Sequence, residues 1–277
     1  MKILITNDDG YQAKGIRILT EIMKDFGELT VVAPKRPQSG MSMAVTMGLK
    51  PIGVKKIEDS PGLGRWYLDA TPASCVKYGI DNIFWPGKPD LVVSGINHGS
   101  NAATAAVYSG TIGAAREAAV NGIPGIGVSL DSYGEDADFS AVEELLPGIL
   151  ETLLPLLKDS PFGAFYNINF PKLPASGIKG VKAGHMGMAH WEREFRKYPD
   201  FLCELGRSPA EEDLLYCKRA RSEGEELLVM AGDFVSNVDN VAGADHLLLE
   251  EGWISVTPQN IDNTDFNELK RICDTIL

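Results

Sequence analysis

The feature that most constrains the fold of this chain is an alternation of short apolar strands and helical segments over residues 1–171. Five apolar runs have the length and β-branched composition of buried strands: residues 3–5, 28–33, 91–93, 123–130 and 164–170. Segments between them, such as residues 15–24 and 139–157, carry apolar residues at helical spacing. The alternation predicts an α/β fold with a Rossmann-like, doubly wound and mostly parallel sheet, in which the N-terminal strand is central.

Weaker local signals refine this prediction. A hairpin is predicted over residues 43–56, where β-favouring residues are interrupted by Gly48, Pro51 and Gly53. Thr71 and Pro72 predict the start of a helix, as its N-cap and its first helical residue.

The alternation of strand and helix patterns is lost after residue 176. We expect residues 1–176 to form the Rossmann-like core, and residues 177–277 to form an arm and a C-terminal segment whose late elements pack back on the core. Four aromatic residues lie in a stretch without clean periodicity: Trp191, Phe195, Tyr198 and Phe201. The alternative interpretation of this stretch is a solvated loop, but four aromatic residues are too many to be fully exposed to solvent. We therefore expect a β-hairpin or arm that packs on a second subunit.

Composition excludes several classes of function. The net charge of −12 argues against a protein that binds nucleic-acid polymers or membrane surfaces. No stretch approaches the roughly 20 apolar residues of a transmembrane helix, and the first apolar run is too short for a signal peptide. The four cysteines form no CxxC motif or Cys/His cluster, which predicts reduced thiols in a cytoplasmic protein and no zinc site.

Oxygen-bearing side chains follow three of the predicted strands. Asp8 and Asp9 come directly after the first, Ser39 follows the second, and Asn97 follows the third. The carboxyl ends of parallel strands meet at one edge of a sheet, where ligands bind. Two adjacent carboxylates repel each other unless a cation neutralises them, and hard oxygen ligands suit Mg²⁺ or Mn²⁺. The alternative is that Asp8-Asp9-Gly10 is only a solvated turn.

A second polar stretch precedes the Ala-rich helix predicted over residues 112–120. Ser109, Gly110 and Thr111 lie at its N-terminus, where free N–H groups and the helix dipole favour an oxyanion such as phosphate. Ordinary N-capping by Ser109 or Thr111 is the alternative. Asn101 is a further candidate to bind phosphate. His98 is a candidate proton donor, although a surface histidine is the simpler interpretation.

These motifs resemble those of the SurE survival-protein family of 5′/3′-nucleotidases, and the resemblance covers most of the chain. It lies in the opening KILITNDDG, in Gln38-Ser39-Gly40, in Ser94 to Asn97 with Tyr108 to Thr111, and in Gly243-Ala244-Asp245 with residues 252–258. There are departures: Ser74 stands where the family usually has Asp, and Asn101-Ala102-Ala103 and Arg116-Glu117-Ala118 are unusual.

The resemblance implies a metal-dependent phosphohydrolase that acts on nucleoside 5′-monophosphates, and possible activity on 3′-monophosphates. It implies one divalent cation per subunit on Asp8, Asp9, Ser39 and Asn97, and a homodimer or homotetramer with an exchanged C-terminal segment. We expect Asp8 to orient or deprotonate the attacking water.

Other classes of protein also carry acidic residues after a first strand. Enzymes that form an aspartyl-phosphate need Asp-x-Asp there, whereas Asp8 and Asp9 are adjacent. A phosphoacceptor regulatory domain needs an acceptor Asp after a middle strand, where this chain has Ser94 and Asn97. A nucleotide-binding regulatory module without turnover is the remaining alternative.

Overall fold

The computed structural model describes residues 1–134, 136–206, 208–209, 211–237 and 239–276. The chain divides into two compact units. The larger unit comprises Met1–Gly187 and Val241–Leu277, and the smaller comprises Met188–Asn240.

Strands and helices alternate through the first part of the larger unit. The elements are β1 (Lys2–Thr6), α1 (Lys14–Met23), β2 (Glu28–Pro34), β3 (Val54–Ser60), β4 (Leu63–Leu68), α2 (Pro72–Tyr78), β5 (Leu91–His98), α3 (Ala105–Tyr108), α4 (Gly110–Val120), β6 (Gly125–Leu130), α5 (Ser140–Lys158) and β7 (Ala164–Phe170). The N-cap of α2 is Thr71, whose hydroxyl accepts a hydrogen bond from the Ser74 N–H, as predicted.

Of the remaining elements, some belong to the larger unit and the others to the smaller unit. They are β8 (Val181–Ala183), β9 (Ala189–Glu192), β10 (Phe195–Lys197), α6 (Tyr198–Glu204), α7 (Glu211–Ser222), β11 (Leu228–Met230), β12 (Asp233–Ser236), α8 (Asp245–Glu250), β13 (Ile254–Asn260) and α9 (Phe266–Ile276). No helix in the described ranges is long and apolar enough to cross a membrane.

The described residues of the larger unit form one nine-stranded sheet in the order β3-β4-β2-β1-β5-β6-β7-β13-β8. The strands from β4 to β7 run parallel to their neighbours, whereas β3 pairs antiparallel with β4, and β13 pairs antiparallel with β7. The predicted α/β fold and the interior position of β1 are therefore confirmed.

Alternation along β1 explains why both faces of the sheet are covered. Ile3 and Ile5 lie in a core shared with α1 and α5, whereas Leu4 lies in a second core shared with α2 and α4. Successive side chains of a strand point to opposite faces, so an unbroken apolar run must be buried on both sides. Each such side chain contributes about 1.5–3 kcal/mol when fully buried.

Two local predictions are wrong. The hairpin predicted over residues 43–56 does not form, since residues 43–53 contain no strand, and the hairpin of this region is β3–β4. Pro51 has no N–H to donate to a ladder, which disfavours a strand there. The third strand continues past residue 93 to His98, through a shift of register between Ser94 and Asn97. Helix α7 was not predicted at all.

The smaller unit contains two short antiparallel ladders, β9 with β12 and β10 with β11, and helices α6 and α7 lie between β10 and β11 in the chain. The rings of Trp191 and Phe234 pack edge to face across the first ladder, with centroids 5.3 Å apart. These hairpins agree with the predicted extension.

Candidate metal and phosphate site

Three neighbouring strands bring the predicted ligands to one edge of the sheet. β1 lies between β2 and β5, and Thr6 at the end of β1 is in register with Ser94 of β5. Asp8 and Asp9 follow β1 after one intervening residue, and Asn97 is the second-last residue of the extended β5. The pairing of β5 with β6 shifts in register between Ser94 and Asn97, and irregularities of this kind are common beside functional sites.

Asp8 is the buried acid of the pair, with 4% of its surface exposed. Its Oδ1 accepts a hydrogen bond of 2.6 Å from the Thr111 hydroxyl. Burial raises the pKa of Asp8 to about 6, and the negative charge of Asp9 acts in the same direction, while hydrogen bonds from the Thr111 hydroxyl and N–H oppose the rise. A buried carboxylate with this environment favours either a proton or a cation.

Asp9 is more accessible and has a histidine beside it. Its Oδ2 lies 3.3 Å from the backbone nitrogen of His98 and 3.3 Å from the Nδ1 of the same residue. The His98 ring also packs edge to face on Phe139, with centroids 5.0 Å apart. His98 is therefore held against an acid of the site, which is a contact that spacing in the sequence did not reveal.

Asn97 presents one end of its amide to the site. Its Nδ2 donates to the carbonyl of Gly99 at 2.8 Å and to that of His98 at 3.2 Å. Its Oδ1 lies 3.5 Å from the Thr111 hydroxyl, which itself contacts Asp8. The amide nitrogen is thus turned away, and the oxygen faces the side of the site where Asp8 lies.

Ser39 lies in the turn after β2, one residue after Gln38, which contacts the backbone of Asp8. The N–H of Gln38 donates to the Asp8 carbonyl at 2.7 Å. Ser39 itself is exposed, and its hydroxyl makes no hydrogen bond with another described residue. The hydroxyl is consequently available to a ligand.

The N-terminus of α4 lies against Asp8. A Cβ on Gly110 would approach the Asp8 Cβ to 2.8 Å, so only glycine allows this close packing. The Ser109 oxygen caps the helix by accepting from the Ile112 N–H at 3.1 Å, which leaves the Ser109 hydroxyl proton free for an acceptor. Thr111 instead directs its hydroxyl and N–H to Asp8.

Asn101 lies in the loop after β5, and two of its N–H groups are bound by residues of β6 and β7. Its Nδ2 donates to Ser129 Oγ at 2.8 Å, and its backbone N–H donates to Asn169 Oδ1 at 2.8 Å. One of the two N–H donors of the Asn101 side-chain amide is therefore bound within the protein.

The side chains at this edge fit a hard divalent cation better than a softer one. Two carboxylates, an amide oxygen and a hydroxyl are all oxygen donors. Within the described ranges, no group of three or more His, Cys, Asp and Glu side chains is placed to hold a metal ion. Asp8, Asp9, Asn97 and Ser39 are the residues that would hold a cation here.

Comparison with known proteins identifies the family of this chain. The family model described as Survival protein SurE matches residues 3–193. This chain belongs to the SurE family. The matched residues include the acids after β1, the turn after β2 and the loop that leads to α4.

Relatives extend the similarity to nearly the whole chain. A protein of Christiangramia forsetii named 5′-nucleotidase SurE is 40% identical, over 97% of this chain and 94% of that protein. One of the same name from Cytophaga hutchinsonii is 38% identical, over 95% and 92% of the two chains. The crystal structure of the SurE protein from Aquifex aeolicus superposes with a TM-score of 0.76, at 30% identity and over 99% of both chains.

Two of the departures from the family pattern have structural partners. The Ser74 hydroxyl accepts a hydrogen bond of 2.8 Å from the Thr46 N–H, which ties the loop before β3 to α2. Glu117, 1% exposed, pairs with Lys77 at 2.7 Å and so links α4 to α2. Both residues act in holding helices and loops together, and none of these contacts involves the four proposed ligands.

Proposed function

We propose that this chain is a divalent-metal-dependent phosphohydrolase that removes the phosphate group from nucleoside 5′-monophosphates. The observation that carries the proposal is the arrangement at one sheet edge, where Asp8 and the oxygen of Asn97 adjoin the N-terminus of α4 and Asp9 contacts His98 next to Asn97. The relatives named 5′-nucleotidase SurE support the same activity.

One Mg²⁺ or Mn²⁺ per subunit is held, in this proposal, by Asp8, Asp9, Ser39 and Asn97. Such a cation, when bound, withdraws charge from a phosphate oxygen and favours attack by water. Its charge also offsets the cost of keeping two adjacent carboxylates ionised, one of them buried. The carboxylate of Asp8 orients or deprotonates the attacking water.

The phosphate oxygens are held by the start of α4. The Gly110 N–H has no partner within the helix because it lies in the first turn, and the Ser109 hydroxyl has a proton to donate. Thr111 acts on the reaction indirectly, by fixing the Asp8 carboxylate. His98, held at Asp9, is the candidate proton donor to the leaving alkoxide.

A homo-oligomer, a dimer or a tetramer, completes the proposal. In the smaller unit, the buried apolar residues among those described are Ala189, Cys217 and Ala220, whereas Phe195 and Met230 are exposed. Helix α9 buries none of its residues, although an apolar stripe runs along it. Apolar surfaces of this kind favour association with another subunit.

The cytoplasm is the proposed compartment. All four cysteines are free thiols, as expected for a protein in a reducing environment.

The test is phosphate release from purified protein with Mg²⁺, Mn²⁺ or excess chelator. The substrate panel contains nucleoside 5′-monophosphates, nucleoside 3′-monophosphates and p-nitrophenyl phosphate. We expect metal-dependent release from the 5′-monophosphates, with slower release from the 3′-isomers. Nucleotide binding without any release would contradict the proposal and would favour a regulatory module.

A further inference from the structure

A buried network of amides holds the loop that joins the two halves of the proposed site. This loop, residues 99–103, follows Asn97 and leads through α3 to the N-terminus of α4. The backbone N–H of Asn101 donates to Asn169 Oδ1 at 2.8 Å, and Asn167 Nδ2 donates to the Asn101 carbonyl at 2.8 Å. Both polar groups of one peptide segment in the loop are thus bound by side chains of β7.

The side chains of the network are buried and bind one another. Asn169 Nδ2 donates to Asn167 Oδ1 at 2.9 Å, and the Asn101 side chain donates to Ser129 Oγ on β6 at 2.8 Å. Asn167, Asn169 and Ser129 are each 0% exposed. Because these side chains have no surface exposed to bulk solvent, loss of a partner leaves a buried polar group unsatisfied, which destabilises this position of the loop.

The same loop sets the direction of the Asn97 amide. The Gly99 carbonyl, two residues before Asn101, accepts from Asn97 Nδ2 at 2.8 Å. Gly99 has a φ of +99°, a conformation that L side chains rarely adopt. A displacement of the loop at Asn101 would therefore move the acceptor that keeps the Asn97 nitrogen away from the site.

We propose that Asn167 and Asn169 are positioning residues, which fix the loop so that Asn97 offers its oxygen, and not its nitrogen, to the divalent cation. This inference rests on the proposed function for the identity of Asn97 as a ligand. An amide nitrogen turned toward a cation would repel it, so the orientation decides whether Asn97 is a ligand at all. Ser129 supports the arrangement from β6.

The chain supplies matched controls on the strand next to β7. Ser255 and Thr257 of β13 are in register with Asn169 and Asn167. Both are buried, and neither hydroxyl has a hydrogen-bond partner among the described residues. Ser255→Ala and Thr257→Val therefore disturb the same part of the sheet without touching the loop.

The experiment compares Asn169→Leu and Asn167→Leu with these controls in the full chain. Calorimetric titration with Mn²⁺, without substrate, measures metal affinity, and thermal unfolding in chelator measures stability. We expect the two amide variants to bind Mn²⁺ about 10- to 100-fold more weakly, in the range typical of residues that orient a ligand. We expect the controls to bind it as the wild type does. At saturating Mn²⁺, phosphate release by the amide variants should recover toward the wild-type rate.

An amide variant that loses thermal stability yet binds Mn²⁺ with wild-type affinity would overturn the proposal. Ser129→Ala covers the case in which the leucine variants fail to fold, since it removes only the acceptor of the Asn101 side chain. It should weaken Mn²⁺ binding in the same direction by a smaller factor, and unchanged binding would count against the network. The titration involves no nucleotide, so a wild type that binds Mn²⁺ but releases no phosphate would overturn the proposed activity alone.

Discussion

Replacing Asp8 with Asn should stabilise the metal-free protein at neutral pH, although it removes the negative charge of a proposed ligand. In the folded chain, burial raises the pKa of the Asp8 carboxyl from 3.8 to about 6, assisted by the charge of Asp9 and opposed by Thr111. The ionised form is therefore less favourable in the folded protein than in the unfolded chain. Asn keeps an oxygen that can accept the Thr111 hydroxyl and has no charge to bury.

The sign and size of the effect follow from proton linkage. Between the two pKa values the folded protein binds more protons than the unfolded chain, so the stability of the wild type falls as pH rises from 4 through 6. A shift of roughly two pKa units corresponds to about 3 kcal/mol. Asp8→Asn lacks this penalty, so its advantage should be absent near pH 3.5 and should approach about 3 kcal/mol at pH 7.

The assay is urea-induced unfolding of both proteins in chelator, repeated across this range of pH. Asp25→Asn, which removes one exposed carboxylate, controls for the change in net charge. Saturating Mn²⁺ should stabilise the wild type more than the variant and shrink or reverse the difference, because the variant has lost a charged ligand and binds the cation more weakly. A variant that is less stable than the wild type at pH 7 in chelator would refute the reasoning.

Three further predictions concern the acids and the arm. Asp9→Asn should leave the fold intact by circular dichroism and reduce turnover by orders of magnitude, whereas unfolding would make Asp9 structural. Thr111→Val removes a hydrogen-bond donor to Asp8, so the pKa of the Asp8 carboxyl should rise further. The Mn²⁺ affinity measured by calorimetry at pH 7 should then fall by about tenfold, and an unchanged affinity would contradict this prediction. At micromolar concentration the chain should sediment faster than a 30.0 kDa monomer, and deletion of residues 181–198 should give a smaller species that binds an apolar dye; a monomeric wild type would refute the arm's role.

The sheet could be predicted from the sequence because a strand buried on both faces is encoded by a continuous run of apolar residues. Runs such as Ile3-Leu4-Ile5 are apolar at every position, and each lies in the structure as a strand between two helical layers. The hairpin over residues 43–56 failed because its β-favouring residues carried no information about a partner strand. The partner that β3 finds is β4, which begins beyond that segment.

The proposed ligands could be selected from the sequence because each lies at or after the end of a strand, and strand order determines which ends meet. The arrangement around them was not accessible, because it depends on contacts between residues far apart in the chain. Asn101 and Asn169 are 68 residues apart, and Thr111 and Asp8 are 103 apart. A sequence shows that Asn101 and Thr111 have donors but does not show which acceptors they reach.

The central claim is that one divalent cation, held by Asp8, Asp9, Ser39 and Asn97, supports phosphate removal from nucleoside 5′-monophosphates. The most direct test titrates Mn²⁺ into chelator-treated protein while bound metal and phosphate release from a nucleoside 5′-monophosphate are both measured. We predict that activity rises in parallel with the binding of one Mn²⁺ per chain, and that Asn97→Leu weakens both together. Full activity in the metal-free protein, or one tightly bound Mn²⁺ that persists unchanged in Asp8→Asn and Asn97→Leu, would contradict the account.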